Sequence, residues 1–272
     1  MPHLLLTNDD GVDSPALLPF ARALAAVSDV TAVVPDRERS WIGKAISRIG
    51  EVGTRDVQRD GLAITTCTGY PADATQIGVH NICDPPPDLV VSGINLGLNH
   101  GTAFTVSSGT VGAAVEGWIS GRPAIAFSTG PADLTGAGYR DWRRHVWSDA
   151  AKPQWTALAV TCATILTDVM GSGLLEAADV VSVNLPFEAS ADTPRRLTDL
   201  ARIRYGALFR PVGRDRYRAG FVDIDEPASL RGTDVEAFRD GAVSITPLRM
   251  PAAADVPDEL RARVERTAPA TT

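Results

Sequence analysis

The feature that most constrains this chain is a short apolar run near the amino terminus that ends in two adjacent acids. Residues 4–7 read Leu-Leu-Leu-Thr and are followed by Asn8, Asp9, Asp10 and Gly11. Such a run predicts a strand buried on both faces, as in a parallel sheet. Doubly wound α/β sheets bind their ligands just beyond the carboxyl ends of the strands. The sequence therefore predicts that both acids lie at the ligand-binding edge of an α/β fold.

The adjacent acids suggest a divalent cation. Neighbouring side chains on a strand point to opposite faces, so Asp9 and Asp10 can reach one ligand only if the backbone turns, and Gly11 can supply that turn. Two carboxylates a few ångströms apart repel by about 1–4 kcal/mol, depending on the local dielectric, and a hard cation bound to both removes this cost. In the alternative interpretation, the two acids cap the next helix and face the solvent.

Composition and charge limit the class of ligand. The 272 residues are 44% hydrophobic and 22% charged, which is typical of a soluble globular protein. The net charge is −7, and no dense basic cluster is present to neutralise a nucleic-acid backbone. We therefore expect no polymeric nucleic acid as the main ligand. A bound phosphate would need local attraction from a cation or from backbone N–H groups.

The cysteine content and the absence of long apolar runs predict the cellular compartment in which the protein is found. Cys67, Cys83 and Cys162 are few and widely spaced, so we expect small buried side chains rather than a disulfide framework. No run is long enough for a signal-peptide core or a membrane span. We expect a soluble, cytoplasmic protein that does not bind a membrane.

The first half of the chain predicts strands that bring further polar residues to the same edge. A helix at residues 15–26 and a strand at 30–34 complete a βαβ unit, whose exit loop carries Ser40 towards the acids. Residues 50–68 alternate like hairpin strands at a sheet margin. Residues 89–91 predict the next buried strand. The segment that follows, 92–99, is too rich in glycine and amide side chains for a core element, and we interpret it as part of the site.

Two further segments are open to more than one interpretation. The turn at residues 107–110 is rich in hydroxyl groups and opens a helix of small residues. It predicts either an anion site at the helix start or simple N-capping. Residues 129–154 read as irregular, and we interpret them as an excursion over the site rim, an oligomer contact or a solvated face.

The second half predicts the remainder of one α/β domain. We expect a long helix at residues 155–170, a strand at 180–184, a protruding hairpin within 202–224 and a late strand at 243–248. Residues 1–251 would form a single domain, with residues 202–251 including the hairpin and the late strand. Residues 252–272 would form a tail with one short helix.

These segments together resemble the SurE family of survival proteins, which are metal-dependent 5′/3′-nucleotidases. The resemblance rests on Asn-Asp-Asp-Gly at residues 8–11, Ser-Gly-Ile-Asn at 92–95, Ser-Gly-Thr at 108–110 and Ser-Ile-Thr-Pro at 244–247. The order and separation of these motifs are specific. The resemblance implies a Rossmann-like fold with a mostly parallel central sheet flanked by helices. It also implies a homodimer or tetramer formed through the hairpin and tail after residue 202.

The resemblance also implies the site residues. One divalent cation per subunit, Mg²⁺ or Mn²⁺, would be held by Asp9, Asp10, Ser40 and Asn95, with the two acids also the catalytic candidates. Phosphate would contact Asn99, Ser108, Gly109 and Thr110. The implied reaction is hydrolysis of nucleoside 5′- or 3′-monophosphates to nucleoside and phosphate. Asp9 would in addition orient or deprotonate the attacking water.

The chain departs from the family pattern around the site. Trp41 follows the loop serine where many members have glycine, and Ser107 stands where a tyrosine commonly precedes the Ser-Gly-Thr turn. These departures leave the identity of the leaving group undetermined. A phosphatase specialised for another phosphorylated metabolite is therefore an alternative. His100 is the only histidine near the predicted site, and we expect it to be an exposed loop side chain rather than the catalytic acid.

Three other classes of protein are alternatives to this interpretation. A phospho-receiver domain also pairs acids after its first strand, but it needs an acceptor aspartate after its third strand, where this chain has Ser92 and Asn95. A haloacid-dehalogenase-type phosphatase needs Asp-x-Asp rather than adjacent acids. A non-catalytic nucleotide-binding protein is the remaining alternative, and cation-dependent phosphate release would distinguish it.

Overall fold

The structure is a computed structural model that describes residues 1–134, 136–220, 224–251 and 253–265. In these ranges the strands are β1 (His3–Thr7), β2 (Asp29–Pro35), β3 (Thr54–Arg59), β4 (Leu62–Cys67), β5 (Leu89–Leu96), β6 (Ala124–Gly130), β7 (Val180–Pro186), β8 (Arg195–Leu197), β9 (Arg204–Tyr205), β10 (Phe209–Gly213), β11 (Arg216–Ala219), β12 (Ile224–Asp225) and β13 (Val243–Leu248). The helices are α1 (Leu17–Ala25), α2 (Pro71–Ile77), α3 (Gly101–Ser107), α4 (Gly109–Ile119), α5 (Gly136–Val146), α6 (Lys152–Met170), α7 (Leu174–Ala177), α8 (Asp234–Arg239) and α9 (Asp258–Val264).

One sheet of nine strands organises the fold, in the order β3-β4-β2-β1-β5-β6-β7-β13-β8. Strands β4, β2, β1, β5, β6 and β7 are parallel, whereas β3 and β13 run antiparallel to their neighbours β4 and β7. The chain leaves β1 towards β2 on one side and later returns to place β5 on the other. The point between β1 and β5 is therefore a topological switch, where such sheets open a crevice for ligands.

Both faces of the sheet are covered by helices. Helices α1 and α6 pack together over one face, where Leu4, Leu6 and Trp155 are buried. Helices α2 and α4 cover the other face, where Leu5 is buried. A strand with both faces buried needs the continuous apolar run that residues 4–6 supply. The predicted α/β class with a mostly parallel sheet flanked by helices is confirmed.

The predicted end of the core at residue 91 is wrong, because β5 continues to Leu96 and residues 92–94 are buried. The register against β6 shifts between Ser92 and Asn95, as in a bulge. Gly93 has a φ of +129°, and a Cβ there would lie 2.3 Å from the carbonyl oxygen of Phe127. Glycine therefore permits a bulge inside a buried strand, rather than marking a loop.

The prediction of irregular structure at residues 129–154 is also wrong. Its first two residues end β6, residues 136–146 form α5, and α6 begins at Lys152. Trp142 and Val146 are buried on one face of α5. Their separation of four residues, about one helical turn, is the pattern that indicates this helix. The glycines and arginines around them made the pattern hard to recognise.

The carboxyl-terminal part of the chain carries the predicted hairpin. β10 and β11 pair antiparallel, and β9 pairs with β12 beside them. Part of the predicted segment, residues 221–223, lies outside the described residues, as do residues 266–272 of the tail. The late strand is confirmed as β13 and the short tail helix as α9. We find no candidate for a membrane-spanning helix in the described ranges.

Candidate active site

A tight turn after β1 brings Asp9 and Asp10 into the crevice. Gly11 has a φ of +82°, and a Cβ on it would meet the backbone of Arg37 at 2.6 Å, so only glycine fits. The buried side chain of Asn8 closes the turn, since its Oδ1 accepts the N–H of Gly11 at 3.1 Å and its Nδ2 donates to the Gly11 carbonyl at 3.0 Å. The predicted role of Gly11 is confirmed, and Asn8 is the residue that fixes the turn.

Asp9 is only 4% exposed and lies against the start of α4. The hydroxyl of Thr110 donates to its Oδ1 at 2.5 Å. A Cβ on Gly109 would lie 2.8 Å from the Cβ of Asp9 and 2.9 Å from its Oδ2. Gly109 therefore allows α4 to approach the acid, and Thr110 holds the carboxylate in one orientation.

Asp10 is 5% exposed and faces the end of β5. Its Oδ2 accepts the backbone N–H of Leu96 at 3.0 Å. Arg143, from α5, donates to the carbonyl of Leu96 at 2.9 Å, and its charge favours the ionised form of Asp10. Arg143 also lies 3.7 Å from Glu38 of the loop after β2. The segment predicted to be irregular thus supplies a cationic side chain whose charge acts on Asp10.

Burial makes the ionisation of both acids energetically unfavourable. Desolvation raises the pKa of Asp9 to about 6, although hydrogen bonds from Thr110 oppose the shift. Desolvation also raises the pKa of Asp10, and the charge of Asp9 raises it further. A site that holds two buried adjacent carboxylates in this way is stabilised by a bound cation. The alternative in which both acids face the solvent is wrong, because both are buried.

The other two predicted metal ligands reach the same cavity. The loop after β2 adjoins the acid turn, since the N–H of Arg39 donates to the carbonyl of Asp9 at 2.7 Å. Ser40 lines the cavity with Asp9 and donates its hydroxyl to Glu38 at 2.6 Å. Asn95 also lines it, and its Nδ2 donates to the carbonyl of Gly97 at 2.7 Å. This bond leaves the amide oxygen of Asn95 available as a ligand.

This donor set fits a hard divalent cation. The described residues contain no group of three or more His, Cys, Asp and Glu side chains arranged for a metal. The predicted set instead combines two carboxylates with a hydroxyl and an amide oxygen, and oxygen donors suit Mg²⁺ or Mn²⁺ better than softer metals. The two buried carboxylates supply the charge that such a cation requires. The assignment of these four residues as ligands stays a prediction.

The predicted phosphate contacts fall into two groups. Ser108 and Asn99 line the cavity. Ser108 is also the N-cap of α4, with its Oγ accepting the N–H of Val111 at 3.0 Å, so the capping interpretation holds for this side chain. Gly109 and Thr110 form the first turn of α4 against Asp9. The hydroxyl and the backbone N–H of Thr110 both act on the carboxylate of Asp9, so contact of Thr110 with phosphate stays a prediction.

A buried network beneath the cavity was not predicted from the sequence. Asn99 donates its Nδ2 to the hydroxyl of Ser128 at 2.7 Å, and its backbone N–H binds Oδ1 of Asn184 at 2.8 Å. Ser128 and Asn184 lie two residues before the ends of β6 and β7, and both are fully buried. Their sequence signal is the same as at β1 and β5, namely polar side chains at the carboxyl ends of parallel strands. These two residues fix the position of Asn99.

The cavity above the acids has a volume of about 520 Å³. Trp41, His100, Phe104 and Tyr139 line it together with the polar residues. The prediction that His100 is an exposed loop side chain is wrong, because it is only 7% exposed. It packs against Phe104 and Phe238, with ring centroids 6.4 and 5.7 Å away. Burial lowers the pKa of His100, which favours the neutral imidazole.

The doubly wound sheet and the buried acid pair at its switch point define a class of α/β protein that binds a small ligand at the carboxyl edge of its sheet. A family model described as survival protein SurE matches residues 4–207. The chain belongs to the SurE family, and the predicted resemblance is confirmed.

Individual relatives agree with this assignment. The chain is 36% identical over 250 residues to "5′-nucleotidase SurE" of Methanopyrus kandleri, covering 90% of each chain. It is 33% identical over 257 residues to the protein of the same name from Archaeoglobus fulgidus, covering 93% of each. Among solved structures, the SurE protein from Aquifex aeolicus superposes with a TM-score of 0.71 at 28% identity, covering 97% of this chain and 98% of that one.

Proposed function

We propose that this protein is a divalent-metal-dependent phosphomonoesterase that hydrolyses nucleoside 5′- and 3′-monophosphates to nucleoside and phosphate. The observation that carries the proposal is the buried Asp9–Asp10 pair at the switch point, where Asp9 lines a cavity together with Ser40 and Asn95. Curated relatives over 90% or more of the chain are named 5′-nucleotidase SurE, which supports a phosphoric monoester hydrolase.

Asp9, Asp10, Ser40 and Asn95 would hold the cation. When bound, Mg²⁺ or Mn²⁺ supplies a Lewis acid that polarises a phosphoryl oxygen and lowers the pKa of water. Thr110 fixes the orientation of Asp9, so that this carboxylate can accept a hydrogen bond from the attacking water. The backbone N–H groups at the start of α4 offer charge stabilisation to the phosphoryl oxygens, and Asn99 and Ser108 orient the phosphate from the cavity wall.

The quaternary structure and the compartment are part of the proposal. We propose a homodimer or tetramer formed through the β10–β11 hairpin and the segments after it, because Phe209 and Tyr217 on this hairpin are exposed. A cytoplasmic location is supported by Cys67, Cys83 and Cys162, which are free and buried, as predicted.

A phosphate-release screen tests the proposed function. Purified protein is assayed with nucleoside monophosphates, sugar phosphates and p-nitrophenyl phosphate, with Mg²⁺, Mn²⁺ or EDTA. We expect cation-dependent release that falls at least about 100-fold in Asp10→Asn. Asp13→Asn is the matched control, because Asp13 is a nearby acid that is exposed and paired with Arg59. Nucleotide binding without phosphate release under any cation would instead support the non-catalytic alternative.

A further inference from the structure

The cavity wall beyond the acid pair is apolar. Leu98, Phe104, Leu134 and Ile224 contribute to this wall. Among the described lining residues, Asp9 is the only carboxylate, and none is lysine or arginine. A leaving group with its own charge would lose hydration here without gaining a partner. The wall therefore suits an uncharged leaving group with a large apolar surface.

Trp41 forms the outer part of this wall, directly after Ser40. It lines the cavity yet is 49% exposed. Its indole meets the ring of Phe104 edge to face, with centroids 6.0 Å apart, and lies 6.0 Å from the ring of Tyr205. Its φ of +59° is uncommon for a bulky residue. A half-exposed indole supported by two rings is a suitable surface for stacking a planar aromatic group.

His100 forms the inner part of the wall. Neither ring nitrogen has a hydrogen-bond partner among the described residues, although the side chain is 93% buried. The next residue is held in place, since the N–H of Gly101 donates to Oδ2 of Asp234 at 2.7 Å. Buried polar groups are nearly always hydrogen-bonded in folded proteins. An unpartnered imidazole in a cavity wall therefore indicates a ligand that completes its hydrogen bonds.

We propose that Trp41 and His100 form a leaving-group subsite that selects an uncharged planar heteroaromatic group, such as a nucleobase. The heteroaromatic ring stacks on Trp41, and a polar atom of the leaving group bonds to the imidazole of His100. This inference rests on the proposed function and deepens it, because it names the residues that choose among phosphomonoesters.

A matched pair of substrates tests the role of Trp41. Adenosine 5′-monophosphate and ribose 5-phosphate share the sugar and the phosphate and differ in the base, so the ratio of their kcat/KM values isolates the base. We expect Trp41→Leu to lower this ratio about tenfold, which is typical of a lost stacking contact. Trp41→Phe should keep most of the ratio. Trp147→Leu is the control, because Trp147 is 46% exposed and lies outside the cavity lining.

A second pair of variants tests His100. His100→Leu should lower the same ratio about tenfold, because a polar atom of the leaving group is then left unpaired. His100→Gln, which keeps a donor and an acceptor, should restore part of it. His80→Leu is the control, because His80 is exposed. A purely structural role would lower the melting temperature and affect both substrates alike, leaving the ratio unchanged, and that result would overturn the role of His100.

Binding without catalysis separates this inference from the proposed function. Adenosine, which lacks a phosphate, is titrated into metal-free protein by isothermal calorimetry, with ribose as the comparison. We expect saturable binding of adenosine that weakens about tenfold in Trp41→Leu and survives in Trp41→Phe. Equal binding by the wild type and Trp41→Leu would overturn the subsite, even if phosphate is released. Adenosine binding without phosphate release would uphold the subsite and reject only the proposed reaction.

Discussion

The floor and the rim of the cavity differ in how firmly they are held. We call Asp9, Asp10, Gly109 and Thr110 the acid floor, and all four are buried. We call Trp41, Leu134, Tyr139 and Ile224 the rim, and all four are exposed. Buried and hydrogen-bonded side chains have one geometry available, whereas exposed apolar ones can be replaced at little cost to the fold. We therefore expect the floor to govern the proposed chemistry and the rim to govern the choice of substrate.

The largest effect should come from filling the space between α4 and Asp9. Gly109→Ala places a methyl group within 3.0 Å of Asp9, and Ile42 closes the other side at 3.1 Å. Alanine is the better helix former, so the loss cannot come from helix propensity. We expect kcat/KM for p-nitrophenyl phosphate to fall about 100-fold, since small displacements of catalytic groups have effects of this size. Gly220→Ala, with nothing within 4 Å of the added methyl group, is the control.

The next effect tests how Asp9 is oriented. Thr110→Val keeps the shape of the side chain but removes the hydroxyl bonded to Asp9. We expect kcat to fall about tenfold and the free energy of unfolding to drop by about 1–3 kcal/mol, because a buried acceptor loses its partner. Steady-state kinetics and urea unfolding measure the two effects. Thr110→Ser should preserve most of both. An unaffected Thr110→Val would show that the orientation of Asp9 does not depend on this bond.

A stability measurement tests the electrostatic strain of the floor. The pKa of Asp10 is raised in the folded protein by burial and by the charge of Asp9. Because the pKa of Asp10 is higher in the folded state than in the unfolded state, Asp10 destabilises the folded protein when it is ionised. Its contribution to the free energy of unfolding is fully present below the unfolded-state pKa, near 3.8, and is lost as the pH rises through the folded-state pKa. Asp10→Asn should therefore stabilise metal-free protein at pH 7.5 by about 0.5–2 kcal/mol, with a smaller gain below pH 4. Thermal unfolding in EDTA at both pH values measures this difference.

The smallest effect should come from the loop beside the rim. Glu38 accepts the hydroxyl of Ser40 and lies 3.7 Å from Arg143, with nearly half of its side chain exposed. Glu38→Gln keeps an acceptor but removes an exposed charge, and such charges contribute up to about 1 kcal/mol. We expect less than about a fivefold change in kcat/KM, declining further at high salt. A loss as large as that of Gly109→Ala would remove the distinction between floor and rim.

Much of the candidate site could be predicted from short segments of sequence. The acid pair, Gly11 and Ser40 each follow a recognisable strand, Asn95 lies at the end of β5, and parallel strands bring their carboxyl ends to one edge. The same rule applied to β6 and β7 would have found Ser128 and Asn184. One error arose where glycine was taken as a sign of irregular structure, at the bulge of β5, and another where the helical spacing within α5 was missed. Local composition could not show that Gly93 packs against Phe127 or that Trp142 and Val146 share a buried face.

By itself, the sequence determined the succession of the main strands along the chain, the position of the acids after β1 and the resemblance to the SurE family. The tertiary structure decided that His100 is buried without a hydrogen-bond partner among the described residues, and that Arg143 lies near Asp10. It also decided that Asn184 anchors Asn99, 85 residues away along the chain. The reason is physical. Strand formation depends on the pattern of neighbouring residues, whereas burial and charge depend on segments that meet only after the sheet has assembled.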